Sequence, residues 1–202
     1  MRAEHVKKEI RILGISDGRP PRSSMGRRVQ VVGVVFRGAY WLEGVMRTGI
    51  ERNGFDATSQ IASMIVSSPH FQQTRLLMTD GLALAGLNIV NIKALHKKTG
   101  IPTIAVSKGR REAGPLSGAI EKSDAKSTRR DAFKAAGQVV PVLLKPATRP
   151  LYAYCAGIDP EEMKSVMKLV CTDDVPEPIR VARIFSSAFN NLLRRGSSVK
   201  SR

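Results

Sequence analysis

The sequence predicts an α/β protein built on one mixed sheet, with elements in the order β-β-β-α-β-α-β and helices flanking the sheet. Short runs rich in β-branched residues come first, and later runs of this kind alternate with segments whose apolar residues recur at helical spacing. The 202 residues, 42% of them hydrophobic, are enough to bury the core of one domain. We therefore expect a single domain over residues 1–193, including a C-terminal extension of the sheet core, and a basic tail over residues 194–202.

The first half of the chain predicts three strands and a helix. Residues 10–15, "IRILGI", are bounded by Ser-Asp-Gly and favour a strand. A basic loop, "GRPPRSSMGRR", precedes "VQVVGVVFRGAYWLEGVMRTGIE", in which a glycine-containing turn at residues 37–39 separates two β-rich runs and predicts an antiparallel hairpin. In "NGFDATSQIASMIVSS" the period changes, because Ile61, Met64 and Ile65 recur at helical spacing.

The remaining elements alternate and then become less regular. "RLLMTD" and "IPTIAVSKG" predict strands on either side of a helix in "NIVNIKALHKKTG", which ends in lysines and a glycine, as the helix dipole and a left-handed cap favour. "QVVPVLLKPATRPLYAYCAGI" is consistent with a further strand pair. "DPEEMKSVMKLVC" carries a strong helix start, and "PEPIRVARIFSSAFNNLLRR" predicts a final amphipathic helix.

The charge of the chain indicates a polyanionic partner. Lys and Arg number 33 against 17 Asp and Glu, which gives a formal charge of +16 and an isoelectric point near 10.5. Such an excess favours binding to nucleic acid, DNA or RNA, over binding to a neutral metabolite. A solvated basic surface without a partner is the alternative.

Several classes of protein are disfavoured. Cys155 and Cys171 lack a metal-ligand spacing, which argues against a zinc site and favours free thiols in a reducing compartment. No stretch of eighteen apolar residues and no apolar leader segment is present, so we expect a cytoplasmic chain that does not bind membranes. The glycine-containing stretches show neither P-loop nor dinucleotide-binding spacing.

Two Asp-Gly pairs and one lysine follow predicted strands and suggest a shared site. Asp17 and Asp80 each end an apolar run, and Lys108 ends "TIAVSK". The carboxyl ends of parallel strands lie along one edge of the sheet, where α/β proteins build their sites. Two neighbouring carboxylates repel unless a cation lies between them, so we expect Asp17 and Asp80 to bind Mg²⁺ or Mn²⁺, and their removal to be neutral or stabilising without metal. Taken singly, Asp17 and Asp80 are better explained as turn formers and Lys108 as a strand-end cation; taken together, their shared placement at strand ends favours a site.

A third acidic residue is expected beside Asp17 and Asp80. Asp56 begins the first predicted helix and is the first candidate, with Glu51 and Glu43 as alternatives. The competing interpretation makes Asp56 an N-cap that accepts from the N–H groups of Thr58 or Ser59.

These residues suit phosphodiester hydrolysis, in which a metal activates water and Lys108 offsets charge on the phosphate. In that hypothesis Asp17, Asp80, Asp56 and Lys108 are catalytic, and Arg22, Arg27 and Arg28 contact the nucleic acid backbone. A non-catalytic nucleic-acid-binding module and a small-molecule phosphoesterase are the alternatives.

The motifs "ILGISDG", "VVGVVFRG", "GFDATSQI", "LLMTDGLALAGLNIV", "GIPTIAVSKG" and "PEPIRVARIF" resemble the archaeal family catalogued as domain of unknown function ninety-nine, over nearly the whole chain. That family is more distantly similar to endonuclease V, a nuclease that cuts beside inosine. The resemblance implies a ribonuclease H-like core and an endonuclease V-like, Mg²⁺- or Mn²⁺-dependent activity.

The resemblance also assigns residues. It places Asp17 on the first metal-binding aspartate of endonuclease V, Asp80 on its strand-end Asp-Gly, and Asp56 on the glutamate of its first core helix. "PTIAVSK" places Lys108 on its lysine. In "PEPIRVAR" Arg183 stands where endonuclease V has a histidine or an acid, so the resemblance implies that one metal ligand is missing, since arginine offers no acceptor.

Overall fold

Nine strands build the sheets of the computed structural model, which describes residues 9–18, 28–107, 113–144, 149–172 and 174–199. Seven form one sheet in the order β3-β2-β1-β4-β7-β9-β8, and β5 pairs with β6 in a small hairpin. The strands are β1 (Arg11–Ser16), β2 (Arg28–Arg37), β3 (Trp41–Glu51), β4 (Leu76–Asp80), β5 (Ala83–Leu84), β6 (Asn88–Ile89), β7 (Thr103–Ser107), β8 (Val140–Val142) and β9 (Leu151–Ala156).

Six α-helices lie in the described part of the chain. They are α1 (Ala57–Val66), α2 (Ile92–Thr99), α3 (Ala113–Glu121), α4 (Lys126–Ala135), α5 (Pro160–Val170) and α6 (Glu177–Val199). The predicted ends of α2 and α5 are confirmed: Gly100 closes α2 with φ +71°, and the Asp159 side chain caps the start of α5. Among these helices, none is long and apolar enough to cross a membrane.

The central strands confirm the predicted mixed sheet. β1 pairs parallel with β4 and β4 pairs parallel with β7, while the β2–β3 hairpin adds antiparallel strands beside β1. The predicted strand pair near the C-terminus is β8 and β9, which extends the sheet antiparallel to β7. Since β1, β4 and β7 run in one direction, their carboxyl ends share one edge, called here the site edge.

Two helices and a hairpin have no counterpart in the sequence prediction. α4, "KSTRRDAFKA", is too polar to show an apolar stripe, and its buried residue is Arg129. α3 precedes it, and the β5–β6 hairpin contributes only two residues per strand. Elements this short or polar carry little periodic signal, because tertiary contacts rather than apolar patterning hold them in place.

The core occupies both faces of the sheet. On one face Leu13, Ile15 and Leu77 pack with α1 and α2, and on the other Ile12 and Met78 pack with residues of α5 and α6. α6 approaches β1 very closely at Gly14, where an added Cβ would lie 2.3 Å from the carbonyl carbon of Pro178. Glycine at this position therefore lets α6 lie directly on the sheet.

α6 is longer than the final helix predicted from the sequence. Its 23 residues extend to Val199, into the segment predicted as a tail beginning at residue 194. The division into a domain and a tail stays a prediction. Cys155 and Cys171 are free, as expected, and each is partly rather than fully buried.

Candidate functional site

Asp17 and Asp80 lie at neighbouring strand ends on the site edge. Asp80 ends β4 and Asp17 directly follows β1, and the two residues are only 5% and 6% exposed. The Ser16 hydroxyl donates to Asp80 Oδ2 at 2.9 Å and accepts from the Gly18 N–H at 3.0 Å. The end of β1 therefore positions the Asp80 carboxylate through Ser16, and Asp17 follows Ser16 at the adjoining strand end.

Arg183 of α6 forms a bidentate ion pair with Asp80. Its Nε and Nη2 atoms lie 2.5 and 2.6 Å from the two carboxylate oxygens. The side chain of Asp80 is fully buried, whereas that of Arg183 is 22% exposed. The residue that the family resemblance marked as a missing metal ligand is thus a direct cationic partner of the buried carboxylate.

The Asp17 carboxylate is held by the backbone of the β5–β6 hairpin. The Ala85 N–H donates to Asp17 Oδ2 at 2.7 Å. The Asn190 amide of α6 donates to the main-chain oxygen of Asp17 at 3.0 Å, so the hairpin and α6 hold the residue from two directions. Gly18 follows with φ +73°, a conformation that glycine adopts without strain.

Asp56 does not cap α1, and that interpretation was wrong. Its side chain makes no capping bond; Oδ1 instead accepts from the Glu51 N–H at 2.9 Å and from Asn88 Nδ2 at 2.7 Å. The buried Asn88 side chain takes over the helix end, because its Oδ1 accepts from the Ala57 N–H at 3.0 Å. Asp56 therefore joins β3, β6 and α1, and its predicted role as a third acid stays a prediction.

The alternative acids lie at opposite ends of the sheet. Glu43 contacts Arg11 at 2.6 Å and Arg37 at 3.0 Å, at the start of β1 and far from the site edge. Glu43 was therefore wrong as a candidate, because the antiparallel hairpin carries the start of β3 to the opposite end of the sheet. Glu51 ends β3 at the site edge.

The predicted cationic residues are placed only in part. Lys108, Arg22 and Arg27 lie outside the described residues. Arg28 begins β2 at the site edge, donates to the Gly49 carbonyl at 2.5 Å and lies 3.9 Å from Asp56 Oδ2. Roughly half of its side chain is exposed, so it remains accessible to a partner.

Arg129 of α4 ties together the loops around the site edge, a role that the sequence did not indicate. This arginine is 6% exposed and donates to the carbonyl oxygens of Leu87, Asn53 and Asp124. Its guanidinium also lies 4.5 Å from the centre of the Phe55 ring. Nothing in the pattern of α4 distinguishes Arg129 from the neighbouring, half-buried Arg130, so tertiary structure alone reveals the role of Arg129.

A periodic signal in the sequence did exist for the burial of Arg183. Ile179, Ala182 and Ser186 mark the face of α6 that is buried against the sheet, and Arg183 falls on that face by helical spacing. A charged residue on a buried helix face requires a partner of opposite charge. The spacing thus indicates that Arg183 has an acidic partner but not which acid it is.

The donor chemistry of the site fits a hard divalent cation. Asp17 and Asp80 offer buried carboxylate oxygens, the ligands that Mg²⁺ and Mn²⁺ favour. Within the described ranges, no three His, Cys, Asp or Glu side chains are grouped so as to hold an ion. A metal held by Asp17 and Asp80 would complete its shell with water or substrate, and Arg183 would compete with it for Asp80.

Comparison with solved structures defines the class of fold. A protein of unknown function from Archaeoglobus fulgidus has a TM-score of 0.76 at 28% identity, covering 89% of this chain and 98% of that one. Human endonuclease V has a TM-score of 0.58 at 14% identity, with 90% and 84% covered. Endonuclease V of Ciona intestinalis, in complex with a 24mer DNA containing an inosine followed by a ribo-adenosine, has a TM-score of 0.59 at 14% identity, with 91% and 87% covered. The chain therefore has the mixed α/β fold of endonuclease V.

The chain belongs to the Endonuclease dU family, whose model matches residues 8–190. The UPF0215 protein of Methanopyrus kandleri is 40% identical over 189 residues, which cover 93% of this chain and 94% of the relative. That of Methanothermobacter thermautotrophicus is 38% identical over 197 residues, covering 96% and 94%. The predicted likeness to an archaeal family similar to endonuclease V is confirmed; the number ninety-nine for that family stays a prediction.

Proposed function

We propose that this protein is an endonuclease V-like, metal-dependent endonuclease that hydrolyses phosphodiester bonds in DNA or RNA on a ribonuclease H-like core. The observation that carries the proposal is the burial of Asp17 and Asp80 at neighbouring ends of parallel strands. Carboxylate oxygens are the ligands that Mg²⁺ and Mn²⁺ favour, and turn formation alone does not require two such residues to be buried. Membership of the Endonuclease dU family supports the same activity.

Each candidate residue has a defined part in this proposal. Asp17 and Asp80 hold the cation, Mg²⁺ or Mn²⁺, which when bound lowers the pKa of a water and stabilises charge on the phosphate. Lys108, one residue beyond β7, offsets negative charge on the substrate. Asp56, at the same edge of the sheet, orients water or assists the cation.

The family and the charge of the chain guide the choice of substrate. The family description names dU, and one solved structure of similar fold holds inosine-containing DNA. A net charge of +16 attracts any nucleic acid backbone without selecting a base. We therefore propose DNA containing deoxyuridine as the first substrate to test, with inosine-containing and unmodified DNA and RNA as comparisons.

A cleavage assay tests the proposal. End-labelled single strands and duplexes of these compositions are incubated with Mg²⁺, Mn²⁺ or EDTA. We expect metal-dependent internal cuts by the wild-type protein and losses of orders of magnitude in Asp17→Asn and Asp80→Asn. Asp131→Asn, which changes an exposed acid on α4, is the matched control and should retain activity. Cleavage in EDTA, or full activity of both site variants, would contradict the proposal.

The ion pair between Arg183 and Asp80 favours a second candidate function, a nucleic-acid-binding module without hydrolysis. If Arg183 permanently satisfies Asp80, the carboxylate needs no metal and the basic surface alone binds the partner. In that case the wild-type protein would bind the whole panel in a gel-shift assay and cut none of it, with or without divalent ions.

A further inference from the structure

Arg183 already supplies a positive charge to Asp80, so a metal ion that binds Asp80 must compete with its guanidinium group. Both carboxylate oxygens of Asp80 are engaged by the guanidinium, and the Asp80 side chain is fully buried. While Arg183 is bound to both oxygens, a metal ion that approaches them is repelled by the positive charge of the guanidinium and finds the oxygens already occupied. Equally, removing the guanidinium takes a bidentate ion pair from a buried carboxylate, which is costly unless other charge replaces it.

The two partners differ in their freedom to move. Asp80 is held in place because β4 pairs with β1 on one side and with β7 on the other. The Ser16 hydroxyl also donates to Asp80 Oδ2, independently of Arg183. Arg183 reaches the site on a long side chain that is 22% exposed. Its backbone is anchored by Ala182 and Ser186, both fully buried, so movement is confined to the side chain. The guanidinium can therefore turn toward solvent while the carboxylate stays in place.

A phosphate group is the ligand best suited to replace the Asp80 carboxylate as the binding partner of the Arg183 guanidinium. The planar guanidinium binds phosphate in the same bidentate manner as carboxylate. The chain carries a charge of +16, which concentrates phosphate-bearing strands at its surface. A neutral ligand offers the guanidinium no charge to replace that of Asp80.

We propose that Arg183 is a substrate-dependent gate for the metal site: it neutralises Asp80 in the free protein and moves onto a backbone phosphate when a strand binds. The released carboxylate then joins Asp17 in holding a divalent cation. This inference rests on the proposed function, because it requires both a nucleic acid and a metal at the site. By thermodynamic linkage, the strand and the metal then bind with positive cooperativity.

Mn²⁺ titration followed by the electron paramagnetic resonance of the free ion tests the gate without relying on activity. The titration is done with and without a single-stranded phosphorothioate oligodeoxynucleotide, whose own Mn²⁺ binding is subtracted. For the wild-type protein we expect weak binding alone and about tenfold tighter binding with the strand, a typical coupling between sites. Arg183→Gln should bind Mn²⁺ about tenfold tighter than wild type without the strand and lose the coupling.

Two further variants make the result decisive. Arg183→Lys keeps the charge that compensates Asp80 but loses the bidentate geometry, so it should fold even if Arg183→Gln does not, and should tighten Mn²⁺ binding by a smaller factor. Arg180→Gln is the matched control, because Arg180 is an exposed arginine on the same helix and pairs with Glu177. This variant should bind Mn²⁺ as the wild-type protein does, with and without the strand.

The outcomes separate the gate from the proposed function. Wild-type protein that binds Mn²⁺ equally well with and without the strand, or an Arg183→Lys variant with unchanged affinity, overturns the gate and leaves the metal site intact. A wild-type protein that binds the strand but no Mn²⁺ under either condition overturns the metal-dependent function itself, and the gate with it.

Discussion

At the scale of single residues, Arg183 changes the effect that removing Asp80 should have on the stability of the free protein. Two strand-end carboxylates without a cation were expected to repel, so that removing either should leave the free protein as stable or more stable. The ion pair reverses that expectation for Asp80, whose charge is matched by Arg183 at 2.5 Å. Asp17 differs, since its Oδ2 accepts a backbone N–H that an asparagine oxygen would also accept.

Asp80→Asn should therefore lower the free energy of unfolding, by about 3 kcal/mol, because it leaves Arg183 without its buried partner. Urea unfolding at neutral pH without divalent ions measures this change. Adding Arg183→Gln to Asp80→Asn should recover much of the loss, since both charges of the buried ion pair are then removed together. Asp17→Asn should cost clearly less than Asp80→Asn. An Asp80→Asn variant as stable as wild type would show that the ion pair contributes nothing in solution.

At the scale of elements, α6 assembles the site from the far end of the chain. Ser186 donates to the Ser16 carbonyl, Ser187 donates to the Gly18 carbonyl, and Asn190 joins Asp17 to β2. Gly14 and Gly18 leave no room for a side chain where α6 lies against the chain. The strand-end acids are therefore positioned as much by this helix as by their own strands.

The start of α6 carries a pH-dependent contribution. Hydrogen bonds from Arg180 hold the pKa of Glu177 below its ordinary value of 4.5, and an acid in the first turn also favours the helix dipole. A carboxyl whose pKa is lowered in the folded state stabilises the protein above its unfolded pKa, and that stabilisation is lost as the pH falls through the folded pKa.

Glu177→Gln should thus reduce the free energy of unfolding by about 0.5 to 1 kcal/mol at pH 7, and the difference from wild type should shrink as the pH falls below 4.5. Thermal unfolding followed by circular dichroism between pH 3 and pH 7 provides the measurement. Glu161→Gln serves as the control, because Glu161 also pairs with a residue three positions on but is 75% exposed. A difference independent of pH would assign the effect to packing instead of charge.

At the scale of the whole molecule, the arginines at the two ends of the sheet differ in how far they are paired and exposed. At the end opposite the site edge, Glu43 is shared by Arg11 and Arg37. At the site edge, Arg28 is half exposed, and Arg22 and Arg27 precede it along the chain. A nucleic acid backbone drawn by the net charge should therefore be held near the acidic pair.

Binding to DNA should weaken as salt is added, because each phosphate contact releases condensed counterions. Replacing Arg22, Arg27 and Arg28 with alanine should flatten the slope of log affinity against log salt by about 0.9 for each contact that is lost. Fluorescence anisotropy across a salt series measures the slope. Arg75→Ala, an exposed arginine just before β4 at the opposite end of the sheet, should leave the slope unchanged. An unaltered slope in the triple variant would place the contact elsewhere.

Much of the fold could be predicted from the sequence because its signals are local. β-branched runs, the turn at residues 37–39 and the helix signals of α2, α5 and α6 depend on residues near one another in the chain. Strand direction then follows from the connections, so the placement of Asp17 and Asp80 on one edge was also predictable. α4 was not predicted because its buried residue is an arginine, whose carbonyl acceptors are Leu87 and Asn53 in two distant loops and Asp124 just before the helix.

The sequence alone determined the mixed sheet, the basic charge and the two strand-end acids, since composition and short-range periodicity encode them. Only the tertiary structure decided the partners of those acids: Arg183 for Asp80, the Ala85 backbone for Asp17, and Glu51 and Asn88 for Asp56. These partners are 5 to 103 positions away along the chain. The physical reason is that a charge or a hydrogen bond acts through space, over a few ångströms, and no pattern of neighbouring residues records which distant groups the fold brings within that range.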